Sequence, residues 1–369
     1  MTKKITALLL LLLPFGMVKA QFLENPEAMA LVKTSIDHIY NFEFEKAEKY
    51  AAEIEKMYPG HPVTYLLEAF TMSWKYLPLD SNKARLAEYL QLLQKCQNAT
   101  RQRYGADSSD PEAVFFTMAS HGYIAMTYNY RGEFLKAVGE ARKAYKALVD
   151  GMDHVKINPD FYFTSGLYNY YVNVYPEMYP IVKPLMIFFK SGDKAKGLTQ
   201  LRTGADKGVI TMAETCYYLS HILIAYEDRI ADALNYTGKL RRLYPHNPVY
   251  RMRYVENLIL VGRYAEAQKE VRSLDRFKIT MIVKARNCLD GLLKEHEKND
   301  TEAKAFYEKV IAAPVEQQYV KEYHAMAYAG LARIADRAGD KKLAKSYYKK
   351  CLEFAEYKRI IREAKNYAS

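Results

Sequence analysis

Residues 132–144 read GEFLKAVGEARKA, a glycine followed by an aromatic residue and then by alanines at helical spacing. The unit returns at residues 262–267 as GRYAEA and at residues 339–344 as GDKKLA. Weaker copies are FEFEKA at residues 42–47 and DRIADA at residues 228–233, and a proline follows the alanine of each by twelve residues. A unit that recurs in this way indicates an array of structural repeats.

The small residue that ends each unit gives the period of the array. The steps between successive small residues are 37, 53, 60, 36, 34, 36 and 41, so four of the seven lie between 34 and 37. These residues are Ala47, Ala84, Ala137, Gly197, Ala233, Ala267, Ala303 and Ala344. The regularity favours a repeat array over the alternative, an irregular helical bundle.

Each part of the unit has a physical reason. The glycine ends a first helix because it tolerates a positive φ, the alanine lets two helices approach closely, and the proline ends the second helix because it cannot continue one. The unit therefore resembles the tetratricopeptide repeat, a helix-turn-helix of about 34 residues. The resemblance implies an all-α, right-handed superhelical solenoid of about eight such repeats with a C-terminal capping helix.

The sequence divides into five predicted segments. Residues 1–20 read as a signal peptide, and residues 21–156 and 191–355 carry the N-terminal and C-terminal tetratricopeptide-like repeats. Between them, residues 157–190 form an aromatic helical insertion broken by prolines, in the step of 60 residues that is the longest of the array. Residues 356–369 predict a basic capping helix, which would cover the apolar face of the last repeat.

The predicted signal peptide decides the compartment. Lys3 and Lys4 precede the apolar run of residues 8–13, and small or β-branched residues lead up to Ala20. This pattern predicts cleavage after Ala20 and export to the periplasm or cell envelope. A membrane anchor is the alternative, but the apolar stretch of residues 6–18 is interrupted by proline and glycine and is shorter than the ~20 residues that a spanning helix needs.

Composition excludes several classes of protein. Half of the residues are hydrophobic, and the mean hydropathy of −0.31 is not that of a polytopic membrane protein. The chain has 33 tyrosines beside one tryptophan, and a net charge of +11. The four cysteines, at positions 96, 216, 288 and 351, are too far apart for a Cys-x-x-Cys site. Although exported cysteines can pair, their helical context predicts four unpaired, buried thiols.

No motif for chemistry is found in the sequence. Residues 192–199, GDKAKGLT, lack the lysine after the second glycine that a phosphate-binding loop requires. No second histidine follows His296 at metal-binding spacing. The chain is therefore expected to have no enzymatic activity, no cofactor and no metal. Nucleic acid is not expected as a partner either, because export separates the chain from it, whereas a membrane surface remains open.

The predicted function is that of a non-enzymatic, exported scaffold. In tetratricopeptide proteins the first helices line an inner groove that commonly holds a peptide or a helix of a partner protein, and the resemblance implies the same here. The alternatives are a glycan-binding protein and a peripheral membrane-associated envelope protein, each using residues 157–190.

Two sets of residues are candidates for binding. Those at helix ends or on one face of the aromatic segment are Asn129, Tyr130, Tyr168, Tyr171, Tyr175 and Tyr226. Further groove candidates, chosen by spacing, are Ile36, Tyr40, Met126, Tyr218, Ile222, Met252 and Glu256. Core packing is the competing interpretation for every aromatic residue among them.

Overall fold

The computed structural model describes residues 22–151, 158–315 and 319–368, and all regular elements within these ranges are helices. The predicted signal peptide, residues 1–20, lies outside the described residues. The α-helices are α1 (Pro26–Tyr40), α2 (Phe44–Met57), α3 (Pro62–Lys75), α4 (Lys83–Tyr104), α5 (Pro111–Tyr130), α6 (Phe134–Gly151), α7 (Phe161–Met178), α8 (Lys194–Lys207), α9 (Met212–Ala225), α10 (Ile230–Leu243), α11 (Pro248–Leu260), α12 (Tyr264–Val271), α13 (Thr280–His296), α14 (Asp300–Ala312), α15 (Lys321–Arg337), α16 (Lys341–Phe354) and α17 (Lys358–Ala368).

The helices pack as consecutive antiparallel pairs. Each odd-numbered helix from α1 to α15 packs on the helix that follows it, which gives eight pairs, and α17 packs on α15 and α16. The prediction of an all-α helical-repeat solenoid is confirmed. Sixteen helices are thus held by neighbours in sequence, as expected when no single pair can bury its apolar face alone.

The turn inside a pair needs a residue with left-handed backbone. Gly132, Gly262 and Gly339 lie two residues after the first helix of their pairs, with φ of 73°, 82° and 84°. This is the role predicted for the glycine of the unit. Phe42 and Lys298 occupy the same place with φ of 62° and 61°.

The small residue of the unit is the fourth residue of seven of the eight second helices. Ala47, Ala233, Ala267, Ala303 and Ala344 all stand there and are fully buried. The assignment of Ala84 to this series is wrong, because Ala84 is exposed. Since α4 begins at Lys83, its fourth residue is Leu86, which is buried.

The stacking of successive pairs is interrupted once, between the third pair and the fourth. Within the described residues α6 and α7 do not pack closely, whereas the other second helices pack on the first helix of the next pair. α7 packs tightly on α8: a Cβ at Gly197 would lie 2.8 Å from the backbone oxygen of Gly166. α7 is thus the first helix of a regular pair, although the sequence assigned it to the insertion. The residues that are additional to the repeat pattern are therefore only the 3₁₀ helix Pro180–Phe188 and the residues on either side of it.

The two halves of the array also meet. The Tyr244 hydroxyl donates to Asp37 at 2.8 Å, and the side-chain amide of Asn247 donates to the backbone oxygen of Tyr40 at 2.8 Å. The turn between α10 and α11 therefore rests on the end of α1, more than 200 residues away in sequence. Tyr40 also packs edge-on against Trp74, with ring centroids 5.5 Å apart.

The four cysteines are free and buried, as predicted. No helix in the described ranges is both long enough and apolar enough to cross a membrane.

Candidate binding cavity

A cavity of about 600 Å³ opens where the third and fourth pairs separate. Most of its wall comes from the first helices α5, α7 and α9, from the second helix α6, and from the 3₁₀ helix, and α3, α11 and α15 contribute one or two residues each. The first helices line it as expected for the inner face of a solenoid, and α6 joins them because α7 does not cover it.

Small and apolar side chains give the cavity its volume. Gly122 and Ala125 on α5 and Ala141 and Ala144 on α6 all border it, and each has a single methyl group or no side chain at all. Further wall residues are aliphatic, sulfur-containing or aromatic: Met118, Leu148, Phe163, Leu167, Met186 and Phe189. A small number of polar groups in a largely apolar wall is the composition of ligand pockets in general.

All six residues of the first predicted set line this one cavity. Tyr168, Tyr171 and Tyr175 share the face of α7 that borders it, whereas Tyr170 between them is fully buried. Asn129 and Tyr130 come from the end of α5, and Tyr226 from the end of α9. Tyr226 is only 6% exposed, although a residue at a helix end is favourably placed to be exposed.

The tyrosines of α7 are also bound to the cavity wall. The Tyr175 hydroxyl donates to Asn129 Oδ1 at 2.6 Å, and the Tyr168 ring stacks on Tyr145 with centroids 4.9 Å apart. The Tyr171 ring lies at 84° to that of Tyr226. These residues therefore combine a lining position with packing, so the two interpretations that the sequence left open are not exclusive.

Of the second predicted set, most belong to the core. Met126 and Tyr218 line the cavity, but the side chains of Ile36, Tyr40, Ile222, Met252 and Glu256 are buried. Ile36, Ile222 and Met252 lie in the continuous apolar core between helix pairs. The spacing rule locates first helices correctly but does not separate their groove-facing side from their packed side.

A cluster of charged groups forms part of the cavity wall. Arg253 donates from Nη1 to Glu256 Oε2 at 2.8 Å and to the Tyr357 hydroxyl at 3.0 Å. Lys321 pairs with Glu356 at 3.2 Å. Burial, with the nearby charge of Arg253, lowers the pKa of His221 to about 3, so this cavity residue is neutral. The cavity wall thus combines a large apolar part with a cluster of charged groups.

A second, smaller cavity of about 80 Å³ adjoins the first. Seven tyrosines and Trp74 line it, together with Glu214 from the first turn of α9. The Tyr123 hydroxyl donates to Glu214 Oε2. Burial raises the pKa of Glu214 to about 7, although the tyrosine hydrogen bond opposes the shift.

Glu214 and Trp74 were missed by sequence reasoning. The one available signal was an acidic residue three positions before the tyrosine pair 217–218, on a predicted first helix. The surrounding tyrosines come from α4, α5 and α11 as well, so only the folded chain brings them together.

Comparison with known proteins adds little to this geometry. No protein-family model matches the chain, and no curated protein matches it. Among solved structures, the human IFIT1 dimer with PPP-AAAA is similar over 89% of this chain and 95% of its own, at 13% sequence identity and a TM-score of 0.38. A similarity at this level carries no argument about ligand or function, which rest on the cavities themselves.

Proposed function

We propose that this chain is an exported, non-enzymatic tetratricopeptide-like scaffold that binds a peptide or protein segment in the larger cavity. The observation that carries the proposal is the cavity of about 600 Å³ at the single break in the stacking of pairs. Its volume lies within the range of about 300–1,000 Å³ typical of ligand pockets, and its wall is mostly apolar with a few polar groups. Apolar side chains of the partner would contact the apolar wall, and its backbone or polar groups would meet Arg253 and the tyrosine hydroxyls.

Gly122 allows a direct test because it lines the cavity and a Cβ built on it meets no atom within 4 Å. Gly122→Leu should fill part of the cavity without a clash in the free protein. Peptides selected by display against the purified wild-type chain should bind this variant at least tenfold more weakly. Its melting temperature should not fall, because glycine inside a helix is destabilising by roughly 0.5–1 kcal/mol relative to alanine.

Gly139→Leu is the matched control. Gly139 also lies inside a helix, also has no atom within 4 Å of its Cβ position, and is outside the cavity wall. This variant should bind the selected peptides as the wild type does. Equal binding by Gly122→Leu and Gly139→Leu would contradict the proposal, since filling the cavity would then have no consequence.

A second candidate function, peripheral attachment to a membrane, is favoured by one observation. Three large apolar side chains beside the cavity are exposed to solvent: Leu135 by 63%, Ile181 by 64% and Ile187 by 79%. Two of them lie on the 3₁₀ helix, where Lys183 is exposed as well. Apolar side chains next to a lysine suit insertion among anionic headgroups. Glycan binding has less support, since the ring faces of Tyr168 and Tyr145 stack on each other rather than on solvent.

A further inference from the structure

We propose that the smaller cavity, enclosed by Trp74, seven tyrosines and Glu214, binds an alkylammonium group. The inference deepens the proposed function and rests on it, because the ammonium would be a part of the partner whose apolar portion lies in the larger cavity. It commits to a primary or quaternary ammonium, such as a lysine side chain or a methylated amine presents.

The composition of the wall is the first argument. Trp74, Tyr89, Tyr123, Tyr217, Tyr250 and Tyr319 all border the space. The faces of tryptophan and tyrosine rings attract cations electrostatically, and cages of such rings are used to bind methylated ammonium groups. A wall this rich in aromatic rings is therefore suited to a cation more than to an anion.

The charge of Glu214 is the second argument. The Tyr123 hydroxyl donates to it, the Tyr40 hydroxyl also acts on it, and within the described residues no lysine, arginine or histidine forms an ion pair with it. Glu214 lies in the first turn of α9, where the helix dipole favours a negative charge. An enclosed carboxylate without a cationic partner is costly. A bound ammonium would supply that partner.

The hydroxyl of Tyr250 is the third argument. Tyr250 is 1% exposed, borders the smaller cavity, and its hydroxyl has no hydrogen-bond partner among the described residues. Buried polar groups are nearly always hydrogen-bonded in native proteins. An ammonium N–H or a water carried with the ligand would satisfy this oxygen.

Size and access agree with the proposal. The smaller cavity has a volume of about 80 Å³, and one water molecule needs roughly 10–15 Å³. The cavity therefore holds about five to eight water-sized groups, which is enough for a tetramethylammonium group. Tyr123, Tyr130 and Tyr218 border both cavities, so the two spaces adjoin. A partner can therefore place its apolar part in one and its ammonium in the other.

Trp74 makes the test direct, because it is the only tryptophan of the chain and it borders the smaller cavity. The full-length protein is titrated with choline and with its neutral isostere 3,3-dimethylbutan-1-ol, and separately with butylammonium and with butan-1-ol, while tryptophan emission is recorded. We expect saturable binding of at least one ammonium, at least tenfold tighter than its neutral counterpart. Equal affinity for ammonium and neutral probes, or no saturable change with either ammonium, would overturn the proposal.

Glu214→Gln removes the charge but keeps an acceptor for Tyr123, and it should weaken ammonium binding at least tenfold. The control is Glu227→Gln, since Glu227 also accepts a tyrosine hydroxyl, from Tyr170 at 2.5 Å, but already has a cationic partner in Lys194 at 2.7 Å and borders neither cavity. The control should bind as the wild type does. Retained binding by Glu214→Gln contradicts the assignment of this residue.

A pH series on the unmodified protein gives the same information without a substitution. The carboxylate must be ionised to pair with the ammonium, so affinity should fall as the pH is lowered from 8 to 5.5, through the pKa of about 7. The groups that act on Glu214 are the Tyr123 and Tyr40 hydroxyls, and the Asp80 carboxyl borders the same cavity. Affinity that does not change over this range would count against the inference.

These outcomes separate the inference from the proposed function. Failure of the ammonium probes, with loss of peptide binding in Gly122→Leu, would reject the cation site and leave the larger cavity as the binding site. Ammonium binding without any effect of Gly122→Leu on peptides would reject the scaffold proposal instead.

Discussion

At the scale of single residues, the turn inside each pair shows what a sequence unit can and cannot reveal. Three turns carry the glycine that a positive φ favours, and these were the clearest copies in the sequence. Phe42, Asp228 and Lys298 adopt φ of 62°, 55° and 61° without being glycine. A left-handed backbone costs a residue with a Cβ roughly 1–2 kcal/mol. The fold imposes this conformation, so the units that begin at Phe42 and Asp228 are marked in the sequence by their alanine and by the proline twelve residues after it, and not by a glycine.

Lys298 offers a test of that cost because it is exposed and its side chain is not part of the core. Lys298→Gly should raise the free energy of unfolding by about 0.5–1 kcal/mol, which is the relief of strain less the entropy that glycine gains in the unfolded chain. Gly339→Ala, at the same place in another pair, should lower it by about 1 kcal/mol. Chemical denaturation measures both. A Lys298→Gly variant less stable than the wild type would show that the lysine, rather than the backbone, determines the stability of this turn.

Some of the candidate binding residues can be predicted from local sequence, and others cannot. Helix ends and the spacing of Tyr168, Tyr171 and Tyr175 were sufficient to name six residues that border one cavity. Such features are local, and local features can be read from the chain. The environment of Glu214 is not local, because its neighbours come from helices that are far apart in sequence.

At the scale of secondary-structure elements, the longest step of the array marks the break in the solenoid. The sequence locates this step correctly. It does not show where the repeat helix ends and the additional residues begin, because α7 continues past Pro176 to Met178. A proline within the last turn of a helix removes only one hydrogen-bond donor, so it need not end the helix where it stands. The 3₁₀ helix that follows bridges the space between α6 and α7, which is why the additional residues border the cavity.

The exposed isoleucines of that 3₁₀ helix lead to a prediction about membranes. If they insert, full-length protein should float with vesicles that contain anionic phospholipid, and the double variant Ile181→Ser/Ile187→Ser should lose most of this binding. Burying each isoleucine is worth roughly 1.5–3 kcal/mol, so the loss should exceed tenfold. Leu343→Ser is the control, since Leu343 is 40% exposed on α16, far along the chain. Wild-type protein that stays with the pellet would rule out this second candidate function.

At the scale of the whole molecule, the repeat period predicted the number of pairs but not that the array meets itself. Each pair is rotated slightly relative to the one before, and the sum of these rotations determines which distant pairs touch. No sequence motif predicts the sum of these rotations. The contact of Tyr244 and Asn247 with the end of α1 is therefore a property of the assembled fold.

In a simple solenoid each pair of helices is stabilised only by its neighbours. Because of this contact, the stability of the first pair should depend also on the fifth pair. Tyr244→Phe removes the hydroxyl that donates to Asp37 and keeps the buried ring, which should cost about 1.5–3 kcal/mol because the acceptor is charged. Hydrogen exchange should then become faster in α1 as well as in α10, since local opening follows the stability of each cooperative unit. Tyr307→Phe is the control, because Tyr307 donates at 2.8 Å to Glu295 within its own pair, and its effect on exchange should stay near α13 and α14. Unchanged exchange in α1 of the Tyr244→Phe variant would mean that the contact joins the two halves without stabilising either.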